Sequence, residues 1–263
     1  MHRHSFISIS IVGISAPTLP AVALSQVSDI NDAINKAGRQ RMLSQRMAKS
    51  YMALGQKVHG ENASKVLAAS MALFDRQLTE LKAFAPNQEI RATYSSLEFA
   101  WRDYEGSLVG GTPTKAGADQ VLSFAGKVLQ LANQGTVQLE GVSGKPLGRL
   151  VNIAGRQRML SQRMAAFYLS ASWVVQTTAS AAEVAKAKDE FLKAHEVKSA
   201  PETTAGIKAE LQLAETQFTF FDTALRNRRP GQGEIEALNN VFTTSERILQ
   251  VMDGVTGMYL KLV

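Results

Sequence analysis

The sequence predicts an all-α protein of two tandem antiparallel four-helix bundles, and three observations carry that expectation. Apolar residues recur at helical spacing throughout, without the sustained period-two alternation of β-branched residues that strands need. Helix breakers fall at corresponding places in the two halves of the chain. Above all, Ala37–Ala48 and Ala154–Ala165 both read AGRQRMLSQRMA, twelve identical letters in the same order.

Taken in order, the chain opens with a leader. His2, Arg3 and His4 form a weakly basic start, Phe6 to Ile14 is a short apolar run, and Ala21-Val22-Ala23 supplies an A-x-A cleavage site. Residues 1–23 therefore read as a secretory signal peptide, with a mature protein beginning near Leu24, exported to a bacterial periplasm. The apolar run falls well short of the ~20 residues that span a bilayer, and the alternative to a cleaved leader is an uncleaved membrane anchor. In the first copy, 24–143, the expected breaks are Gly60–Asn62, Pro86–Asn87 and Gly110–Pro113; in the second, 144–263, they are Thr177–Ser180, Ala200–Pro201 and Asn227–Gly231. The segment GVSGKPLG, Gly141–Gly148, should separate the copies, with Pro146 suited to a first helical turn.

The repeat extends beyond its identical core. Ile34 and Asn35 match Val151 and Asn152, and Tyr51, Phe74, Ile90 and Trp101 match Tyr168, Phe191, Ile207 and Phe218. A small insertion then shifts the register, so that Val128-Leu129-Gln130 corresponds to Ile248-Leu249-Gln250.

The repeated helix carries two packing stripes. Ile34, Gly38, Arg41, Gln45, Ala48 and Met52 follow a heptad seam, repeated as Val151, Gly155, Arg158, Gln162, Ala165 and Leu169. Leu43, Met47, Ser50 and Leu54 line the opposite face and suit the interior of the helix's own bundle. Glycine costs about 1 kcal/mol in a helix interior, so Gly38 and Gly155 point to a close backbone approach. One turn on, Arg41 and Arg158 lie in a seam whose own face offers no carboxylate, which calls for an anion. Two such helices face to face would join both guanidinium forks around a small planar oxyanion.

Arg39 and Arg46, with Arg156 and Arg163, sit a heptad apart beside the seam and read as salt-bridging residues pointing away from it. Gln45 and Gln162, and the same four arginines, are supporting candidates for a ligand site. Trp101 and Tyr104, matched by Phe218 and Phe221, read as core anchors, and Met42 and Met47 as core packing. The histidines His59 and His195 do not correspond in the repeat, which argues against a shared metal site. The formal net charge of +6 favours anionic partners. Without cysteine the chain has no disulfide, thiolate site or cysteine nucleophile. The repeated segment also lacks any acid or histidine, so neither an enzyme nor a cofactor is expected. Aromatic and basic residues are not interleaved, which argues against nucleic acid.

The segment INKAGRQRMLSQRM, Ile34–Met47, repeated as VNIAGRQRMLSQRM, Val151–Met164, closely resembles the amino-terminal module of PilJ-type pilus chemoreceptors and, more loosely, the ligand box of NarX-type nitrate sensors. That resemblance implies a periplasmic four-helix module in which nitrate sits between the first helices of two subunits. Carried across residue by residue, it implies Gly38 and Arg41, with Gly155 and Arg158, as the anion contacts. Arg39-Gln40 and Arg156-Gln157 stand where nitrate sensors usually have smaller or apolar residues. Family members place the module between membrane spans and ahead of a signalling region, and this sequence has neither. The expectation is a free-standing sensor-like module, paired as an internal pseudo-dimer or a homodimer, that binds a nitrate-like oxyanion and serves a membrane sensor or chemoreceptor. The alternative is an interaction module whose seams bind partner helices of a receptor or pilus-associated complex.

Overall fold

The computed structural model describes residues 26–194, 196–226 and 235–262. The expected leader and the Asn227–Gly231 break lie outside the described residues. The helices are α1 (Ile30–Gly55), α2 (Gly60–Phe84), α3 (Gln88–Leu108), α4 (Lys115–Ser143), α5 (Pro146–Ser172), α6 (Thr177–Lys193), α7 (Glu196–Ser199), α8 (Ala205–Arg226) and α9 (Ile235–Leu260). Among the described residues there is no strand, and no helix is long and apolar enough to cross a membrane.

Local chemistry sets the helix ends. The Asp29 carboxylate accepts from the Asn31 and Asp32 amides at 2.7 and 2.9 Å, and Asn87 and Thr114 cap α3 and α4 in the same way. Gly144, at φ 58°, closes α4 with its amide on the Glu140 carbonyl, and Pro146 opens α5 in its first turn.

Two breaks fall earlier than the sequence suggests. Gly60–Asn62 and Thr177–Ser180 are helical, and the turns occupy 56–59 and 173–176. Each turn is made by left-handed residues other than glycine: Lys57 and His59 (φ 58° and 46°) in the first copy, Val174 and Gln176 (φ 62° and 47°) in the second. Reading for glycine and proline overlooks such a turn. In both copies one amide bond seals it, Val58 to the Ala53 carbonyl and Val175 to the Ser170 carbonyl, each at 2.9 Å. The second copy also gains α7, a single helical turn that a four-helix count omits.

In the first copy α1 packs on α2 and α4, and α3 packs on α4 and α2. The second repeats this with α5 on α6 and α9 and α8 on α9, while α6 and α8 meet through the long side chains of Phe191 with Phe218 and Lys188 with Asp222. The most extensive helix pairing in the molecule joins α1 to α5. The two run parallel and in register. A Cβ on Gly148 would lie 3.0 Å from Ile34 Cδ1, and one on Gly38 would lie 3.9 Å from Gly155 Cα. Farther along, Arg163 donates to Gln45 Oε1 at 3.1 Å and Gln56 donates to the Leu169 carbonyl at 2.9 Å. The first helices thus form the common centre of both bundles. That is why α1 is buried on nearly every face from Asn31 to Ala53.

Candidate functional site

The α1–α5 crossing is built on two glycines. A Cβ on Gly38 would sit 3.2 Å from Arg41 Nη2 and 3.6 Å from Arg158 Nη2; one on Gly155 would sit 3.0 Å from Arg158 Nη2 and 3.6 Å from Arg41 Nη2. The absent side chains are therefore what admits both guanidinium groups. Gly38, Arg41, Gly155 and Arg158 converge at one place, and both arginines are 0% exposed.

Each guanidinium reaches across to the other copy. Arg41 Nη2 donates to Asn152 Oδ1 at 2.7 Å and to the Asn152 carbonyl at 3.2 Å, while Arg158 Nη2 donates to Asn35 Oδ1 at 2.9 Å and to its carbonyl at 3.4 Å. A fourth helix then supplies one more acceptor on each side, and here the copies differ. Arg41 Nη1 donates to Asn133 of α4 at 3.0 Å, whereas Arg158 Nη1 is paired with the carboxylate of Asp253 of α9. Asn133 also accepts from Arg156 at 3.4 Å, as Asp253 also accepts from Arg39 at 2.8 Å.

This arrangement corrects two expectations. A carboxylate does reach the seam, contributed by α9 rather than by the repeated helix. Arg39 does not point away from the site, because it shares Asp253 with Arg158. Arg156 is paired with Glu190, Arg46 with Glu246 and Arg163 with Glu183, so all four flanking arginines form salt bridges. Gln45 and Gln162 each donate to a backbone carbonyl of the fourth helix, Ala125 at 3.3 Å and Ser245 at 2.9 Å.

The electrostatics follow from this inequality. Burial, and then the charges of Arg156 and Arg158, pull the Arg41 guanidinium down from its usual range to about 9. Burial also lowers Arg158, to about 10, but Asp253 opposes the fall. Glu140, which accepts from Asn152 Nδ2, and Glu190, paired with Arg156, offset part of the Arg41 fall, so neither side of the crossing alone carries the excess charge. The Nε atoms of Arg41 and Arg158 are both buried without a hydrogen-bond partner, as is the Tyr94 hydroxyl, which lies close enough to feel the Arg41 charge.

The family model described as type IV pili methyl-accepting chemotaxis transducer N-term, PilJ, matches residues 22–124 and 144–218, more than half of the chain. The chain belongs to the PilJ family. Its second matched segment begins beside Pro146, at the start of α5, so each PilJ segment contains one arginine helix. No curated protein and no solved structure matches it.

Several residues of this PilJ crossing escaped the reading of the repeat. Asn35 and Asn152 carried a signal, since both copies have them, but their role across the crossing depends on the register of α1 against α5. Asn133 and Asp253 correspond only after the insertion is allowed for, and they differ in charge. Lys49 gave no repeat signal, because Ala166 takes its place in the second copy. It is fully buried, pairs with Glu246, donates to Ser245 Oγ at 3.0 Å and lies 4.3 Å from the centre of the Phe242 ring. Burial takes the Lys49 amine down to about 8, whereas Lys49 and Arg46 together take Glu246 down to about 2 against the opposing effect of burial.

Proposed function

We propose that this protein is an exported PilJ protein that binds a small oxyanion such as nitrate between α1 and α5 and presents that state to a membrane receptor. Membership in a family of chemotaxis transducer modules supports a sensory and signalling role. The observation that carries the ligand reading is the meeting of two fully buried arginines at a glycine crossing with a single carboxylate bonded to the pair. Buried like charges are costly unless compensated, and a monovalent anion at the crossing would add to the compensation that the flanking carboxylates give. The unpartnered Nε atoms offer donors for its oxygens. Export rests on the leader-like residues 1–23 and a periplasmic address on the resemblance to periplasmic sensors.

Titration calorimetry against nitrate, nitrite, sulfate and acetate tests the reading. Nitrate or nitrite should bind, and replacing Arg41 and Arg158 by lysine should weaken binding roughly tenfold or more for each charge-assisted bond lost. Arg46→Lys, a substitution on the same helix but outside the glycine crossing, should leave affinity unchanged. If no anion binds the unmodified protein, the ligand reading fails.

A second reading has its own support. The Nη donors of both arginines are already taken by Asn152 and Asn133 on one side and by Asn35 and Asp253 on the other. In that case the crossing is a polar lock that fixes the register of the two copies, and the outer surface of the module serves a partner protein.

A further inference from the structure

The second copy contains a cavity of about 230 Å³ between α5, α6, α7, α8 and α9, remote in character from the arginine crossing. Its walls are mainly apolar: Phe191, Val197, Leu211, Ala214, Phe218 and Met252. Phe191 and Phe218 stack at 4.4 Å with their planes 11° apart. Gln157 and Thr219 add neutral polar groups, and Lys198 and Glu215, paired with each other, are the charged ones.

The first copy shows how this space arose. In the repeat register Leu211, Ala214 and Phe218 correspond to Tyr94, Leu97 and Trp101, all of which are buried in the first bundle. There the Trp101 indole stacks on Phe74 at 4.2 Å and its N–H donates to Asp75 at 2.6 Å. The second copy has lost a phenol, three side-chain carbons and the second ring of an indole. Leu192 replaces Asp75, and it is exposed. Val255, in place of the Gly135 that makes room for Tyr94, refills part of the space, and the rest stays open as the cavity beside α6 and α8.

We propose that this cavity is a second ligand site, for a small neutral aromatic molecule with a single hydrogen-bonding group, of the phenol or indole class. Apolar cavities of roughly 150 Å³ already admit benzene. Here the stacked Phe191–Phe218 pair presents aromatic surface to the cavity and favours a ring, and the oxygens of Thr219 and Gln157, whose donors are taken by backbone carbonyls, suit a lone hydroxyl or N–H. Lys198 and Glu215 neutralise each other, so among the described lining residues no charge is left unpaired to select an ionic ligand. The first copy's own Tyr94 and Trp101 are the internal stand-ins for such a molecule.

The full chain can be titrated with indole, phenol and cyclohexanol while melting temperature and the Met252 methyl resonance are followed. Saturating indole or phenol should raise the melting temperature by about 2–4 °C and move the Met252 methyl signal by ring current, leaving Met42 in place. Ala214→Leu and Phe218→Trp each restore the first copy's residue, and either should abolish the shift. Absence of any response to both aromatic probes overturns the site. So does an undiminished response in Ala214→Leu, while an equal response to cyclohexanol overturns the aromatic assignment. Neither variant touches the arginine crossing, so nitrate binding should be unaffected whichever way this test falls.

Discussion

In the first bundle the interior beside Gln40 and Phe74 is filled by Tyr94, Leu97 and Trp101; in the second the same level holds Leu211, Ala214 and Phe218 and stands partly open. The two central helices have not diverged in this way over the repeated segment. The difference lies in how many neighbours each residue serves. A side chain on α1 or α5 packs against its own bundle and against the other first helix at once, so a change must suit two surfaces of near-crystalline density. A residue on α8 faces one bundle only, where a smaller side chain leaves a void and no steric conflict. The fourth helices are intermediate, since α4 and α9 reach the paired first helices through a few polar groups, Asn133 and Glu140 from one and Ser245, Glu246 and Asp253 from the other.

The shared centre should be the most sensitive region. Replacing both Gly38 and Gly155 by leucine would drive side chains into the guanidinium groups and the facing backbone, at about 1–3 kcal/mol for each overpacked site. Urea unfolding should show a midpoint loss of that combined size, and an unchanged midpoint would mean that the helices do not cross here. Next in size is the contrast between the two arginines. Arg158→Met leaves Asp253 with only the partly exposed Arg39, and should cost about 2–3 kcal/mol. Arg41→Met removes a charge that has no directly bonded carboxylate and should cost under about 1 kcal/mol. Equal losses would show that Asn133 and Asp253 are equivalent in effect.

A smaller effect distinguishes the two sides in acid. The Glu246 carboxyl titrates at about 2 when folded and near 4.5 when unfolded, so it contributes stability above about pH 4.5 that is lost as pH falls toward 2. The position corresponding to Glu246 in the first copy is Gly126, so this loss belongs to the α1–α9 contact alone. Glu246→Gln should flatten the acid limb of a stability-against-pH curve by on the order of 2 kcal/mol, with Asp253, Asp222 and Glu98, whose carboxyls are also held below their usual range, supplying the remainder. A limb of undiminished steepness would assign acid sensitivity elsewhere. The smallest change concerns the turns. Val174 is β-branched at φ 62°, so Val174→Gly should raise stability by roughly 1 kcal/mol, and by more than Lys57→Gly does in the matching turn. A fall in melting temperature on Val174→Gly would contradict that assignment of strain.

The all-helical class was legible because periodicity, breakers and the repeat agreed with one another. The meeting of Gly38, Arg41, Gly155 and Arg158 was likewise legible, from a seam that made sense only if it faced a copy of itself. What the sequence concealed were contacts between residues distant in the chain. Asp253 lies far from Arg158 in sequence and, beyond the insertion, in a part of the repeat where the letters differ. The turns at 56–59 and 173–176 were displaced in the reading because left-handed Lys57, His59, Val174 and Gln176 carry no compositional mark. The cavity was invisible for a related reason: Trp101 matched to Phe218 is a modest substitution, and only packing reveals the volume it leaves.

The parallel pairing of α1 with α5 also has a consequence for dilution. A crossing made by two separate chains exists only as far as their association constant and concentration allow. Here both halves belong to one polypeptide and meet through a linker of two residues between α4 and α5, so their effective concentration is fixed by the chain. The crossing therefore persists in a single molecule however sparse its neighbours, and it occurs once per chain.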